Sequence, residues 1–186
     1  MNKLTDHFLI AMPGLMDQNF FQSVTYIVEH SEDGAMGIVI NHPLEITLEE
    51  MFGQLKIEAS PGTKALGNSL YLGGPVQEDR GFVLHDGDAV TWASSLQIEK
   101  ALCVTTSKDI LEAIAQGNGP RNSLVALGYA GWAAGQLERE ISENSWLSGR
   151  ADKDIIFNLP VEKRWSAAAQ LIGVDISLLS SEAGHA

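Results

Sequence analysis

Two histidines stand at the ends of apolar strands, where side chains often carry out acid–base chemistry. His42 follows Asn41 after an apolar run, and His85 ends the predicted strand 81–85. An imidazole titrates near neutral pH and can act as a general acid or base, and Arg80 could hold an anionic substrate beside it. The alternative is that each histidine only forms structural hydrogen bonds, and both interpretations stay open. No cysteine or second histidine falls at ligand spacing, so no metal site is predicted.

The sequence lacks the usual signatures of nucleophile, zinc and phosphate sites. No Gly-x-Ser-x-Gly elbow, His-Glu-x-x-His helix or phosphate loop ending in Lys-Ser or Lys-Thr occurs. The GNGP fragment at 117–120 follows a predicted helix, which favours a helix end and a turn over a dinucleotide site. Cys103, the single thiol, lies within an apolar run and is predicted to be an inert core residue rather than a nucleophile or redox sensor. No catalytic residue and no cofactor are therefore predicted.

A further candidate is the stretch GYAGWAAGQLE at 128–138, in which three glycines surround two aromatic residues. Gly128 and Gly131 would permit close backbone approach, and a loop directly before a helix starting at Gln136 resembles an anion or ligand cradle. The alternative is that the glycines allow Trp132 to pack tightly against a neighbouring element, since buried aromatic rings contribute strongly to the core. Both interpretations stay open.

A mixture of strands and helices must position these residues. Residues 24–28 alternate as a half-buried strand does, and 35–40 returns after the turn 31–34, so a hairpin is predicted. Thr47 and Glu50 form a capping box that predicts a helix. Further strands are predicted at 70–72, 81–85, 101–105, 123–127 and 154–157, and further helices after Thr106, at 136–143 and from Pro160. The hairpin interrupts a regular βαβ series, so the pattern predicts an α+β fold with a mixed sheet.

Composition limits the class of protein. The 186 residues fit a single domain, 1–186. Twenty-four acidic against 12 basic side chains give a net charge of −12, which disfavours binding to a nucleic-acid backbone. The first residues have too short an apolar run for a secretory signal, and the uncharged stretch 122–137 is too short and glycine-rich to cross a membrane. A single cysteine needs no oxidising compartment. We therefore expect a cytoplasmic protein that binds neither nucleic acid nor membrane.

Several short motifs together resemble one family of bacterial proteins. They are FLIAMP at 8–13, AMGIVIN at 35–41, GGPV at 73–76, RGFVLH at 80–85, GYAGW at 128–132, GQLE at 135–138, NSWL at 144–147 and GHA at 184–186. In this order, and running nearly end to end, they resemble the AlgH/YqgE family. The resemblance implies an α+β fold with a bifurcated sheet folded into a pseudo-barrel and helices around it. Family labels name a transcriptional regulator, but the resemblance supplies no reaction, ligand or catalytic residue.

Three functions are weighed on these observations. The first, which we favour, is a non-catalytic binding or regulatory protein that acts through a protein partner or a small ligand. The second is an enzyme that uses His42 or His85 as acid or base. The third, direct DNA binding, is the least expected because of the net charge of −12. The candidate contact residues are Asn41, His42, Gly73, Gly74, Pro75, Arg80, His85, Gly128, Gly131, Trp132 and Gln136.

Overall fold

The computed structural model describes residues 3–180, so the motif at 184–186 lies outside the described residues. The strands are His7–Ala11 (β1), Val24–Ser31 (β2), Gly34–Val39 (β3), Pro43–Thr47 (β4), Ser69–Leu72 (β5), Val76–Asp86 (β6), Ser95–Glu99 (β7), Leu102–Thr105 (β8), Ser123–Ala133 (β9) and Trp146–Arg150 (β10). The α-helices are Leu48–Gln54 (α1), Lys108–Ala115 (α2), Gln136–Ser142 (α3), Lys153–Phe157 (α4), Val161–Leu171 (α5) and Ile176–Ser180 (α6), and a 3₁₀ helix spans Lys64–Gly67. None of these helices is long and apolar enough to cross a membrane.

All of these strands belong to one sheet, whose main path runs β10-β1-β2-β3-β9-β6-β8-β7. Neighbours on this path are antiparallel, whereas β5 pairs in parallel with β9 at Tyr71↔Ala126 and Leu72↔Leu127. One edge of β9 carries β6, and the other edge carries first β5 and then β3. The sheet is therefore mixed and splits in two along β9. It curls into a half-barrel, which confirms the predicted α+β class.

The hairpin predicted for 24–40 is present as β2 and β3, with Tyr26 opposite Ile38. The expectation that β2 is only half-buried is wrong, because Thr25 and Ile27 are as fully buried as Tyr26. Ile27 belongs to the apolar cluster that includes Leu137 of α3, so this helix helps to cover the second face of the strand. A strand covered on both faces does not need a polar side.

Helices cover the sheet where their sequences carry an apolar stripe. The capping box that predicts α1 is present, since the Glu50 amide donates to Thr47 Oγ1 at 3.3 Å and the Thr47 amide donates to Glu50 Oε2 at 2.9 Å. α1 and α2 pack on β5, β6 and β9 through Phe52 and Ile114. α4 and α5 pack on the opposite face of β6 and β9 through residues that include Ile156. The two helical layers thus cover the two faces of this part of the sheet.

Three buried glycines form a junction where the sheet splits. The Gly73 amide donates to the Leu127 carbonyl of β9, and the Gly73 carbonyl accepts from the Val39 amide of β3, both at 2.8 Å. A Cβ on Gly74 would collide with the backbone of Tyr129, and a Cβ on Gly128 would collide with the Gly74 carbonyl. Only glycine allows two backbones to lie this close. We call Gly73, Gly74 and Gly128 the glycine junction.

Three predicted elements differ from the structure. Residues 154–157 form a helix and not a strand, because Asp152 caps its first turn by accepting from the Asp154 and Ile155 amides. The segment after Gly128 is not a loop, since β9 continues to Ala133 with alternating buried and exposed residues. The cap of α2 is Ser107 rather than Thr106. Strands β1, β4, β7 and β10 carried no pattern strong enough to predict.

We expect Gly74→Ala to destabilise the protein by about 3 kcal/mol, since the added Cβ has no room and φ at Gly74 is +156°. Gly81→Ala is the matched control, because a Cβ there meets nothing within 4 Å. Urea denaturation measures the free energy of unfolding of both variants. Equal losses from the two substitutions would contradict the close approach at the glycine junction.

Candidate functional site

Asn41 and His42 lie beside the glycine junction and are tied to the main chain. The Asn41 side chain accepts from the Val24 amide at 2.8 Å and donates to the Gln22 carbonyl at 2.9 Å. His42 Nε2 donates to the Phe21 carbonyl at 3.2 Å, and burial lowers the pKa of His42. These bonds fix the end of the β2–β3 hairpin. The structure therefore brings Asn41 and His42 close to the predicted glycines, in a set of structural hydrogen bonds.

His85 is fully buried in a chain of hydroxyl groups. Its Nδ1 lies 2.8 Å from the Asp86 carbonyl, which can only accept, so Nδ1 carries the proton. Nε2 then accepts from the Thr105 hydroxyl at 2.7 Å, and Thr105 in turn bonds the Ser95 hydroxyl. Burial lowers the pKa of His85 and keeps the ring neutral. His42 takes no part in this chain, so the structure does not bring the two candidate histidines together.

Three predicted residues do line one continuous groove. Two hollows, of about 330 and 580 Å³, share Met36 and Tyr129 and together form what we call the Tyr129 groove. Arg80 lines the first hollow, where its guanidinium lies 5.5 Å from the centre of the Phe82 ring. Gly131 and Trp132 line the second hollow. The groove is shallow, and it also carries the carboxylates of Glu29 and Asp33.

Trp132 is mainly a packing residue. It is 6% exposed, and its indole N–H donates to Glu140 at 2.7 Å. Trp146 donates to the same carboxylate oxygen at 3.1 Å, and Phe20 packs against both rings, edge-on to that of Trp146. Gln136 accepts from the Ala133 amide and donates to Glu140. These contacts support the packing interpretation of the glycine–aromatic segment, because the polar groups of Trp132 and Gln136 already have partners within the protein.

A second and more polar cavity opens where the sheet splits. Its outer lobe, about 470 Å³, lies between the 3₁₀ helix and the loop that joins α2 to β9. Its inner lobe, about 310 Å³, lies between the first residues of β5 and β9 and the turn from α4 to α5. Asn68, Ser123 and Phe157 line both lobes, so the two lobes adjoin at these side chains. We call the two lobes together the split-sheet cleft.

Arg164 of α5 is a buried cation that lines the inner lobe. It is only 5% exposed, and its Nε donates to the Leu159 carbonyl at 3.0 Å while Nη1 donates to the Ile40 carbonyl. The guanidinium lies 5.3 Å from the centre of the Tyr71 ring. Within residues 3–180, Nη2 has no hydrogen-bond partner, and no carboxylate lies within 4 Å of Arg164. The guanidinium is thus buried against neutral acceptors only.

The walls of the split-sheet cleft are positive in an acidic protein. Lys64 and Arg121 line the outer lobe, and no Asp or Glu lines either lobe. Within the described residues, two carboxylates bond lining residues: Asp86 accepts from the backbone and side-chain amides of Asn122, at 3.0 and 2.9 Å, and Asp154 accepts from the side-chain amide of Asn158 at 2.9 Å. Yet the chain has twice as many acidic as basic residues. Positively charged side chains, the less common kind in this protein, are therefore concentrated in the cleft.

Sequence reasoning missed Arg164, although a signal was present. Lys163 and Arg164 are adjacent on a helix that also carries Glu162, a pattern typical of a solvated face. Position 164, however, lies three residues after Val161 and four before Ala168, within the apolar stripe of α5. A charge inside an apolar helical stripe is a sign of a buried cation. The carbonyl groups that accept hydrogen bonds from this guanidinium could not be predicted from the sequence of the helix alone.

Comparison with known proteins identifies the family. A family model described as AlgH-like matches residues 8–177. The chain belongs to the AlgH-like family. This member is 57% identical to the UPF0301 protein Tgr7_2910 of Thioalkalivibrio sulfidiphilus, over 100% of this chain and 98% of the relative. It is 54% identical to the UPF0301 protein AlgH of Pseudomonas aeruginosa, over 98% of this chain and 96% of that protein.

Solved structures agree with the AlgH-like assignment. The solution structure of the AlgH protein from Pseudomonas aeruginosa superposes with a TM-score of 0.79 at 54% identity, covering 100% of this chain and 97% of that one. The crystal structure of protein DIP2367 from Corynebacterium diphtheriae gives 0.77 at 21% identity, covering 97% and 93%, and so shows the fold alone. The predicted family and fold are confirmed. The names of these relatives state no ligand, partner or reaction.

The buried, neutral His85 predicts a pH dependence of stability. In the unfolded chain a histidine titrates near pH 6.5, whereas burial lowers the pKa of His85 in the folded protein. Above about pH 8 the imidazole is almost entirely neutral in both states, so His85 then contributes almost nothing to the pH dependence. As the pH falls below 6.5 the unfolded state takes up a proton that the folded state excludes, and stability is lost by at most about 1.4 kcal/mol per pH unit.

His85→Gln keeps one acceptor and one donor but cannot titrate. We expect the free energy of unfolding to fall less for this variant than for the wild type between pH 7.5 and about 5.5, as measured by urea denaturation. Parallel curves for the two proteins over this range would show that the folded environment does not disfavour the imidazolium.

Proposed function

We propose that this protein is a non-catalytic binding protein whose ligand is a small anion held in the split-sheet cleft. The observation that carries the proposal is the buried Arg164 guanidinium, which has no carboxylate partner within residues 3–180 and lines the cleft. The ligand would supply the missing negative charge. In this proposal the protein works in the cytoplasm and is not expected to bind nucleic acid, given its net charge of −12.

Burial removes the charge of Arg164 from water, and this has a cost in free energy. Burying an ion costs several kcal/mol unless hydrogen bonds and an opposite charge compensate for the lost hydration. Two carbonyls and the Tyr71 ring provide part of that compensation for Arg164. A bound carboxylate or phosphate would add a charge-assisted hydrogen bond at Nη2, and such bonds are roughly twice as strong as neutral ones.

Uncommitted polar side chains also favour a ligand. Within the described residues, the side chains of Asn68, Ser69 and Ser123 make no hydrogen bond, and all three line the inner lobe. Ser69 and Ser123 are half-buried, where polar groups usually have partners. They stand at the start of β5 and β9, on either side of the split. A small ligand in the cleft would find several donors there.

The negative net charge of the protein is compatible with anion binding in the cleft. A charge of −12 repels anions, but salt at 0.15 M screens such interactions beyond about 8 Å. The charged side chains that line the cleft are all cations. The lining of the two lobes contains no His, Cys, Asp or Glu that could act as a base beside its hydroxyl groups. We therefore favour binding over reaction at this site.

We expect citrate or inorganic pyrophosphate to raise the melting temperature of the wild-type protein in a saturable way, whereas sodium chloride at equal ionic strength does not. At one hundred times the dissociation constant the gain is about 2.7 kcal/mol, which corresponds to roughly 5–10 °C for a chain of this length. Differential scanning fluorimetry measures this shift.

Asn68→Trp tests the site without touching Arg164, because Asn68 is exposed, lines both lobes and makes no side-chain hydrogen bond within the described residues. A bulky ring there should fill the cleft and abolish the shift. Asn118→Trp is the matched control, since Asn118 is also exposed, in the loop between α2 and β9, but lines neither lobe. The proposal is wrong if both variants respond to the anions as the wild type does.

A further inference from the structure

The two lobes of the split-sheet cleft differ in chemistry. The inner lobe presents one cation, Arg164, among both apolar side chains such as Leu124 and neutral polar ones such as Ser69. The outer lobe presents two cations, Lys64 and Arg121, and mainly small or polar neighbours. A ligand that fills the whole space therefore meets one positive charge at its inner end and two at its outer end.

We propose that the ligand is a small phosphorylated carboxylic acid, with its carboxylate on Arg164 and its phosphate between Lys64 and Arg121. This inference rests on the proposed anion-binding function and specifies the class of the ligand. A short body joining the two groups would pass the residues common to both lobes, Asn68, Ser123 and Phe157. The phenyl ring of Phe157 offers an apolar contact for that body.

The inner lobe suits a carboxylate because, within the described residues, only one nitrogen of the Arg164 guanidinium is still free to donate a hydrogen bond. Its Nε and Nη1 already donate to the Leu159 and Ile40 carbonyls, so Nη2 is the one guanidinium nitrogen without a partner within residues 3–180. A carboxylate carries one charge and needs few donors. A phosphate carries up to two charges, and the inner lobe offers one cation, Arg164, to neutralise them.

The outer lobe suits a phosphate because two cations flank it and both are uncommitted. Lys64 and Arg121 are exposed and form no ion pair or side-chain hydrogen bond within the described residues. The loop that carries Arg121 is held in place at Gly119, where a Cβ would lie 2.6 Å from a side-chain carbon of Ile114. Asn122 anchors the same loop to Asp86. The loop that carries Arg121 is thus fixed to its neighbours on both sides of this residue.

Isothermal titration calorimetry of the full chain tests this assignment with stable analogues. The probes are phosphonoacetate, 3-phosphonopropionate and 6-phosphonohexanoate, which carry both groups at increasing separation, together with propionate, methylphosphonate and succinate. Joining two groups that occupy neighbouring subsites raises affinity without new contacts. We expect at least one phosphonocarboxylate to bind about tenfold or more tightly than propionate, methylphosphonate and succinate.

Substitution of the two cations of the outer lobe tests whether the phosphate and the carboxylate bind at different subsites. In the double variant Lys64→Gln, Arg121→Gln, the affinity for the best phosphonocarboxylate should fall about tenfold while that for propionate is unchanged. The control Lys100→Gln, Arg139→Gln removes the same charge from exposed residues outside the cleft and should leave both affinities unchanged. Because all four residues are exposed, the substitutions are not expected to unfold the protein.

The outcomes distinguish the two proposals. If no probe binds, the proposed anion-binding function fails, and the ligand class fails with it. If succinate binds as tightly as the best phosphonocarboxylate, or if the outer double variant binds that probe like the wild type, the phosphorylated-acid assignment is overturned while anion binding stands. Equal losses in the outer variant and its control would also overturn the assignment, since they would show a response to overall charge alone.

Discussion

The close approach of two backbones at the glycine junction is the constraint on which the rest of the structure depends. Gly73 bonds both β9 and β3 at the point where β5 and β3 share one edge of β9, and Gly74 leaves no room for a side chain beside Tyr129. This contact divides the sheet. Below the division the first residues of β5 and β9 separate, and the space between them is the inner lobe of the split-sheet cleft.

Arg164 joins this constraint to the proposed function. Its guanidinium bonds the Ile40 carbonyl at the end of β3, and it also lines the cleft that the split creates. The same residue therefore braces the branch point and presents positive charge to the space beside it. Its other partners are a carbonyl and an aromatic ring, so its charge is not neutralised within the described residues. A bound anion would complete a site that the fold has already built.

Local sequence signals predicted the parts of the fold that local interactions determine. The capping box at Thr47 needs only neighbouring residues, and the hairpin 24–40 needs only a turn and two apolar runs. β9 was missed beyond Leu127 because its glycines are typical of a loop, and only the partner strands show that they permit close packing. Arg164 was missed because its acceptor Ile40 lies 124 positions away.

The predicted site residues fall into two groups. Arg80, Gly131 and Trp132 share a groove, whereas Asn41, His42 and the glycine junction meet at the branch point of the sheet.

The most direct test is a titration of the arginine side-chain Nε–H resonances of ¹⁵N-labelled protein with citrate, at constant ionic strength. Bound anion should shift the Arg164 resonance in a saturable way and leave that of Arg139, an exposed residue outside the cleft, unchanged. This result would place the anion at the buried guanidinium. An unchanged Arg164 resonance at saturating citrate, or equal and linear shifts at both arginines, would contradict the proposal that the split-sheet cleft is an anion site.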